Sequence, residues 1–125
     1  MSRNELYQDK ESGYFSSIRW DIISFIPDGD HSVLEIGCGN GNTLITLREL
    51  NKAREIVGIE INYDCLRGNC DQLDGFLVGD VEEIEPAFEE DHFDYIILGD
   101  VLEHLVDPAA VLKRYSSFLN STGYI

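Results

Sequence analysis

The chain has 125 residues, of which 43% are hydrophobic and 10% aromatic, so it is long enough for one packed domain and unlike a disordered protein. Its formal net charge is −15, and no Lys or Arg occurs between Arg67 and Lys113, which argues against nucleic acid as a partner. No apolar run reaches the roughly 18 residues of a membrane span and no signal-peptide core is present, so we expect a cytoplasmic protein without a membrane span. The cysteines have no metal-ligand spacing, so we expect no metal. They are Cys38, Cys65 and Cys70.

The first predicted element is an amphipathic helix within residues 1–27. Its apolar residues recur at helical spacing, and a proline ends the segment because the residue before proline leaves the helical region. These residues are Phe15, Ile18, Ile22, Phe25 and Pro27. Residues 32–36 form a short apolar run and are predicted as the first strand. A helix over residues 43–50 follows, with its leucines facing the core. They are Leu44, Leu47 and Leu50.

Strand and helix signals then alternate along the chain. Strands are predicted at 55–60, 76–78 and 93–98, with a helix after Asn62. Asp107 as N-cap and Pro108 as the first helical residue open a further helix through about residue 119. This alternation predicts a parallel sheet with helices on both faces.

The end of the chain, residues 121–125, is predicted as a turn and the first residues of a fifth strand. We therefore expect a single domain over residues 1–125 that lacks its C-terminal strands. Such an ending would leave an exposed sheet edge open to self-association. It would also leave apolar surface on Ile96, Ile97 and Leu98.

A glycine-rich loop ends the first strand in the sequence VLEIGCGNG, residues 33–41. Gly37, Gly39 and Gly41 can adopt backbone angles closed to other residues and let main-chain N–H groups approach a ligand. The dinucleotide fingerprint requires Gly or Ala where this chain has Asn42. Glu35 would repel a pyrophosphate on this loop but would suit a ligand that carries an ammonium group.

With an acidic residue before G-x-G-x-G, the chain resembles the class I S-adenosylmethionine-dependent methyltransferases. The resemblance continues in EIVGIEIN (55–62), FLVGDVEE (76–83) and FDYIILGDVLEHLVDP (93–108). The last string is similar to the branch with a Leu-Glu-His turn after the fourth strand, as in methyltransferase type 11/12 domains. The resemblance implies a Rossmann-like, doubly wound α/β fold with strand order 3-2-1-4-5. It also implies S-adenosylmethionine as cofactor.

The predicted nucleoside contacts follow the second and third strands. Glu60 lies about twenty residues beyond the glycine loop, the offset at which an acidic side chain accepts from ribose hydroxyls. The resemblance assigns Asp80 to the adenine amino group and the Val81 amide to a ring nitrogen, whereas a simple turn at Gly79 is the alternative. Ile61 is expected to pack on adenine or in the core.

The predicted contacts to the methionine end come from several segments. The resemblance assigns Gly99 and Asp100 to this end, although Asp100 could instead cap a turn. Glu35 either orders the glycine loop or meets the amino group through water, and Arg19 is a candidate partner for the carboxylate. The predicted cofactor-binding residues are Arg19, Glu35, Gly37, Cys38, Gly39, Gly41, Glu60, Ile61, Asp80, Val81, Gly99 and Asp100.

His104 is the candidate catalytic residue, because its unperturbed pKa lies near neutrality and it follows the fourth strand. A structural histidine held by Glu103 or backbone is the alternative. We expect methyl transfer to a small-molecule, sugar or lipid-precursor acceptor. The alternatives are a non-catalytic S-adenosylmethionine-binding or interaction module and a nicotinamide oxidoreductase, which Asn42 and Glu35 disfavour.

Overall fold

A five-stranded parallel sheet forms the centre of residues 18–66 and 68–125, the part of the chain that the computed structural model describes. The strand order is β3-β2-β1-β4-β5, and every neighbouring pair is parallel, which confirms the expected 3-2-1-4-5 topology. The strands are β1 (Ser32–Ile36), β2 (Glu55–Glu60), β3 (Gly75–Val78), β4 (Phe93–Ile97) and β5 (Leu119–Tyr124). β1 and β2 occupy the residues predicted for them.

Helices cover both faces of the sheet, as expected for parallel strands. They are α1 (Trp20–Ile23), α2 (Asn42–Glu49), α3 (Tyr63–Leu66) and α4 (Pro108–Ser116), with 3₁₀ turns at Cys70–Gln72 and Leu102–His104. Val33 packs with α1 and α2 in one buried cluster, and its neighbour Leu34 packs with α4 in the other. This alternation along β1 divides the core into two layers.

Helix α4 begins at the predicted residue. The Asp107 carboxylate accepts from the Ala110 amide at 3.1 Å, and Pro108 takes the first position, where a missing N–H costs nothing. The helix ends at Ser116 rather than near residue 119, because Leu119 already belongs to β5.

The predicted fifth strand is wrong in extent, since β5 is a complete six-residue strand that begins at Leu119. It pairs with β4 through Phe93 opposite Leu119, followed by a register shift. The side-chain amide of Asn120 donates to the Asp94 carboxylate. A Cβ at Gly123 would lie 2.7 Å from the Asp94 carbonyl oxygen, so the two strands approach closely there. Contacts across the sheet thus hold a segment of low strand propensity in an extended form.

Four predictions of inward or exposed apolar residues need correction. Phe25 is 84% exposed because α1 ends at Ile23, and Leu50 is 44% exposed because it lies after the last residue of α2. Ile96 and Ile97 are buried in opposite core layers and Leu98 is half-buried, so these three residues expose little apolar surface. Phe15 lies outside the described residues.

None of the helices in the described part of the chain has the length and apolar character required to cross a membrane. Within the same residues, no group of three His, Cys, Asp or Glu side chains is arranged to hold a metal ion. Cys38 and Cys70 form no disulfide.

Candidate cofactor site

The glycine loop leaves the carboxyl end of β1 in a left-handed conformation. Gly37, Gly39 and Gly41 have φ of 74°, 58° and 82°, which L side chains rarely adopt. A Cβ at Gly37 would in addition overlap the Val101 side chain, whereas a Cβ at Gly39 would meet open space. Glycine at position 37 is therefore required by both conformation and packing.

Four amides of this loop donate hydrogen bonds within the protein, and their approach to a ligand stays a prediction. The Gly37 and Cys38 amides donate to the Ile59 carbonyl at 2.7 and 3.1 Å, and the Gly41 amide donates to the Cys38 carbonyl at 2.9 Å. The Gly39 amide donates to a carboxylate at the end of β2 at 2.8 Å. Three of these amides donate to the end of β2 and the fourth donates within the loop, so all four already have an acceptor in the protein.

Glu60 is the carboxylate that holds the loop. It is 9% exposed; its Oε1 accepts from the Gly39 amide and its Oε2 accepts from the Asn62 amide at 2.9 Å. Each oxygen keeps a second lone pair, so Glu60 retains the capacity to accept from hydroxyl groups. The side chain therefore links the glycine loop to the segment after β2.

A cleft of about 710 Å³ opens where the carboxyl ends of β1, β2 and β4 meet. A pocket of about 240 Å³ adjoins it and shares Gly37, Glu60, Asp100 and Val101 with it. The predicted residues in the larger cleft are Arg19, Glu35, Gly37, Cys38, Gly39, Glu60, Gly99 and Asp100. Those in the smaller pocket that do not line the cleft are Ile61, Asp80, Val81 and His104. Gly41 lines neither, because it is buried where the chain enters α2.

Two residues of the cleft have no counterpart in the sequence prediction. Val101 fills the space left by the absent side chain of Gly37. Asn40 lines the cleft, and its Oδ1 accepts from the Asn42 amide at 3.0 Å. An Asn that precedes a glycine is a turn signal that could have indicated Asn40, whereas nothing in the sequence relates Val101 to Gly37.

Arg19 is the cation of the larger cleft. Its Nη1 lies 2.7 Å from Asp100 Oδ2, and its Nη2 lies 2.8 Å from Asp21 Oδ2. The hydrogen bonds from Arg19 hold the pKa of Asp21 at about 2. The Arg19 amide also donates to Thr43 Oγ1 at 3.0 Å, which fastens the start of α1 to α2.

Glu35 is the most deeply buried ionisable group of the cleft. It is 4% exposed, and its Oε1 has no hydrogen-bond partner. Burial raises the pKa of Glu35 to about 8, against an opposing effect of Arg19 and with a smaller contribution from Glu60. The expectation that Glu35 orders the glycine loop through hydrogen bonds is wrong, since Glu60 does so. The other expectation, a contact with an amino group, stays a prediction.

The smaller pocket brings Asp80, Val81 and His104 together. Asp80 Oδ1 accepts from the Glu82 amide at 2.9 Å, so it also has the turn role named as its alternative. Ile61 is 67% exposed, which makes its core alternative wrong. The His104 side chain is 77% exposed, with Nε2 3.8 Å from the Glu103 carboxylate.

The sequence family described as "Methyltransferase domain" matches residues 8–125. The chain belongs to this methyltransferase family. It is 32% identical, over 74% of its length, to the bifunctional methionine biosynthesis protein MetXA/MetW of Rhodopirellula baltica, of which it covers 16%. Over 98% of its length it is 30% identical to the tRNA U34 carboxymethyltransferase of Nautilia profundicola and 27% identical to the mitochondrial ubiquinone biosynthesis O-methyltransferase of Candida albicans. It covers 41% and 37% of these two relatives, so it spans less than half of each of the three.

Solved structures share the fold of this methyltransferase domain. The protein solved in complex with the Haloferax volcanii Trm112 methyltransferase activator has a TM-score of 0.74 at 18% identity, over 96% of this chain and 57% of its own. Phosphoethanolamine N-methyltransferase 1 of Haemonchus contortus, solved with S-adenosylhomocysteine, has a TM-score of 0.71 at 22% identity, over 86% of this chain and 24% of its own. These likenesses confirm the class I, Rossmann-like fold.

The family cofactor, S-adenosylmethionine, fits the chemistry of the cleft. Carboxylates of Glu35, Glu60 and Asp100 outnumber the single guanidinium of Arg19 among the lining residues. A ligand with a sulfonium, an ammonium and hydroxyl groups supplies positive charge and donors to such a site. The Oε1 atom of Glu35 has no hydrogen-bond partner in the protein, so it can accept a hydrogen bond from such a ligand.

Proposed function

We propose that this domain binds S-adenosylmethionine and forms the donor half of a methyltransferase that acts on a small-molecule acceptor. The observation that carries the proposal is the acidic cleft at the ends of β1, β2 and β4, reached by a glycine loop that Glu60 holds in place. When bound, the cofactor supplies an electrophilic methyl group. Catalysis then depends chiefly on alignment of acceptor and donor, with base assistance optional.

The proposed donor contacts follow the charges of the two pockets. Glu60 accepts from the ribose hydroxyls with the lone pairs that the Gly39 and Asn62 amides leave unused. Asp80 accepts from the adenine amine in the smaller pocket, where the Val81 amide meets a ring nitrogen and exposed Ile61 covers the adenine face.

The proposed contacts to the methionine end lie in the larger cleft. Arg19 pairs with the cofactor carboxylate, and Glu35 accepts from its ammonium group. Gly99 and Asp100 complete this end beside the Arg19 guanidinium. His104 is the candidate base, although it lies in the pocket of Asp80 rather than in the cleft of Arg19.

A small-molecule acceptor is supported by the net charge of −15 and by the relatives named for ubiquinone biosynthesis. The 30% identity to a tRNA carboxymethyltransferase favours tRNA as a second candidate acceptor. The absence of Lys and Arg between Arg67 and Lys113 weighs against it, because RNA binding depends on cations that neutralise phosphates.

Cofactor binding is tested by calorimetric titration with S-adenosylhomocysteine, S-adenosylmethionine and NADH. We expect S-adenosylhomocysteine and S-adenosylmethionine to bind and NADH not to bind. Glu60→Gln should weaken binding by about 1.5–3 kcal/mol, since it replaces an acceptor-only carboxylate. Glu89→Gln, on an exposed side chain outside both pockets, is the matched control and should bind as the wild type does. NADH binding without S-adenosylhomocysteine binding would refute the proposal.

Adenine recognition is tested with the inosine analogue of S-adenosylhomocysteine. Its carbonyl would face the Asp80 carboxylate, so two acceptors would oppose each other and affinity should fall clearly. Asp80→Asn supplies a hydrogen-bond donor and should reduce the difference in affinity between S-adenosylhomocysteine and its inosine analogue. Equal affinity of the wild type for both analogues would remove Asp80 from the adenine site.

We also propose that the domain self-associates through the β5 edge of the sheet. Among the described strands, β5 pairs with β4 on one side only, and Phe25, Tyr124 and Ile125 form exposed apolar surface around a groove beside it. Light scattering after gel filtration should show a concentration-dependent dimer that Tyr124→Lys weakens. A monomer at every concentration would contradict this.

A further inference from the structure

Glu35 combines deep burial with a missing partner, in a position that the strand register dictates. It lies on the central strand β1, with Gly58 of β2 and Ile97 of β4 as its neighbours across the sheet. Alternation along the strand sends its side chain to the same face as Val33, which packs in the core layer beneath α1 and α2. The carboxyl group therefore lies next to apolar side chains of the core, where it is poorly hydrated.

The charged groups around Glu35 do not neutralise it. Arg19 at the start of α1 directs its hydrogen bonds to Asp21 and Asp100, and forms none with Glu35. Glu60 at the end of β2 repels a second negative charge. A buried carboxylate without a hydrogen-bond donor is costly, and the cost falls when the group is neutral.

We propose that Glu35 carries a proton in the ligand-free domain and releases it when the ammonium group of the cofactor enters the cleft, so that one proton leaves for each cofactor bound. The inference rests on the proposed function. The Glu35 O–H bond breaks, the proton passes to the buffer, and the electron pair stays on the carboxylate. The ammonium group keeps its three protons and donates to the newly charged oxygen. No oxidation or group transfer accompanies the exchange.

This coupling makes Glu35 a specificity-determining residue for ligands that bear an ammonium group. Burial holds the pKa of Glu35 at about 8 in the absence of ligand, so the group is mostly neutral near pH 6.5. An adjacent cation favours the charged form and lowers that pKa. A ligand without the ammonium group offers no such compensation and leaves the proton in place.

The test is calorimetric titration of the wild type with S-adenosylhomocysteine at pH 6.5, in two buffers of different ionisation enthalpy. The dependence of the binding enthalpy on the buffer counts the protons released, and we expect about one per ligand. Between pH 6 and 7 the wild-type affinity should rise nearly tenfold, as linkage to one proton requires. In this range the α-amino group of the ligand remains charged.

Two comparisons separate Glu35 from other titrating groups. The des-amino analogue of S-adenosylhomocysteine should bind the wild type without proton release, and this comparison needs no variant. Glu35→Gln should release close to no proton and show an affinity that is flat between pH 6 and 7, whereas Glu60→Gln should bind more weakly and still release a proton. Binding of S-adenosylhomocysteine to the wild type without proton release, or equal release by Glu35→Gln, would overturn the inference alone. No binding to the folded wild type would overturn the proposed function, and the inference with it.

Discussion

Two segments face the same cleft and are built in opposite ways. In the glycine loop, residues 37–41, main-chain amides donate hydrogen bonds to the end of β2 and within the loop itself. In the segment after β4, residues 99–107, Asp100 has φ of 58°, the His104 side chain is 77% exposed and Val106 is 93% exposed. The first segment is fixed by internal contacts, and the second presents polar side chains to solvent.

The second segment is held at its start by the ion pair of Asp100 with Arg19 and at its end by Glu82. The Glu82 carboxylate accepts from the Val106 and Asp107 amides at 3.1 and 2.8 Å, and Asp107 in turn caps α4. The residues before this anchor form a single 3₁₀ turn. The difference indicates that the glycine loop fixes the geometry of the cofactor site. Substitutions of exposed side chains in the second segment should alter the site with little effect on folding.

The strongest test of this contrast is Gly37→Ala. The substitution places Cβ against Val101 in a left-handed backbone conformation, so we expect the free energy of unfolding to fall by roughly 3–4 kcal/mol and binding of S-adenosylhomocysteine to be lost. Urea denaturation and calorimetry measure the two effects.

Gly39→Ala is the matched control for the overlap. Gly39 shares the left-handed conformation, but open space surrounds its Cβ position, so only the backbone cost of about 1–2 kcal/mol should remain. Val101→Ala in the Gly37→Ala background should recover part of the lost stability. An equal loss of unfolding free energy for the two alanine substitutions would mean that the backbone at Gly37 moves to accommodate the Cβ. That result would contradict the rigidity of the loop.

The second prediction concerns the pH dependence of stability that Glu35 causes. Burial raises the pKa of Glu35 from 4.5 to about 8, so the folded protein binds this proton more tightly than the unfolded chain does. The stabilisation is complete below pH about 4.5 and is lost as the pH rises to about 8. Glu35→Gln lacks this loss and should become more stable than the wild type by on the order of 4 kcal/mol at pH 8, as a shift from 4.5 to about 8 requires.

Denaturant melts of the wild type and the variant from pH 5 to pH 8 check this prediction. The difference in the free energy of unfolding between the two proteins removes the contribution of every titrating group that does not interact with Glu35. Glu89→Gln, on an exposed side chain, should give a difference that does not change with pH. A constant difference for Glu35→Gln as well would show that the carboxyl group is solvated in the folded protein.

Local signals in the sequence predicted the strands, the start of α4 and the position of Glu60. They could not predict where β5 begins, because its Asn120 is held by the Asp94 side chain across the sheet and not by strand propensity. The same limit applies within the site. The bond from Gly39 to Glu60 and the packing of Val101 against Gly37 join residues that are distant in sequence, so only the fold brings them together.

His104→Gln is expected to have the smallest effect. The side chain is 77% exposed, so the free energy of unfolding should change by less than about 0.5 kcal/mol. Its pocket is that of Asp80, so affinity for S-adenosylhomocysteine should stay within about twofold of the wild type. If His104 assists deprotonation of the acceptor, turnover of the protein with a phenolic probe should fall by about tenfold. Glu103→Gln removes the neighbouring carboxylate and should leave turnover nearly unchanged. A loss of stability with unchanged turnover per folded molecule would instead make His104 a structural residue, and the segment after β4 would then resemble the glycine loop more closely than its exposure indicates.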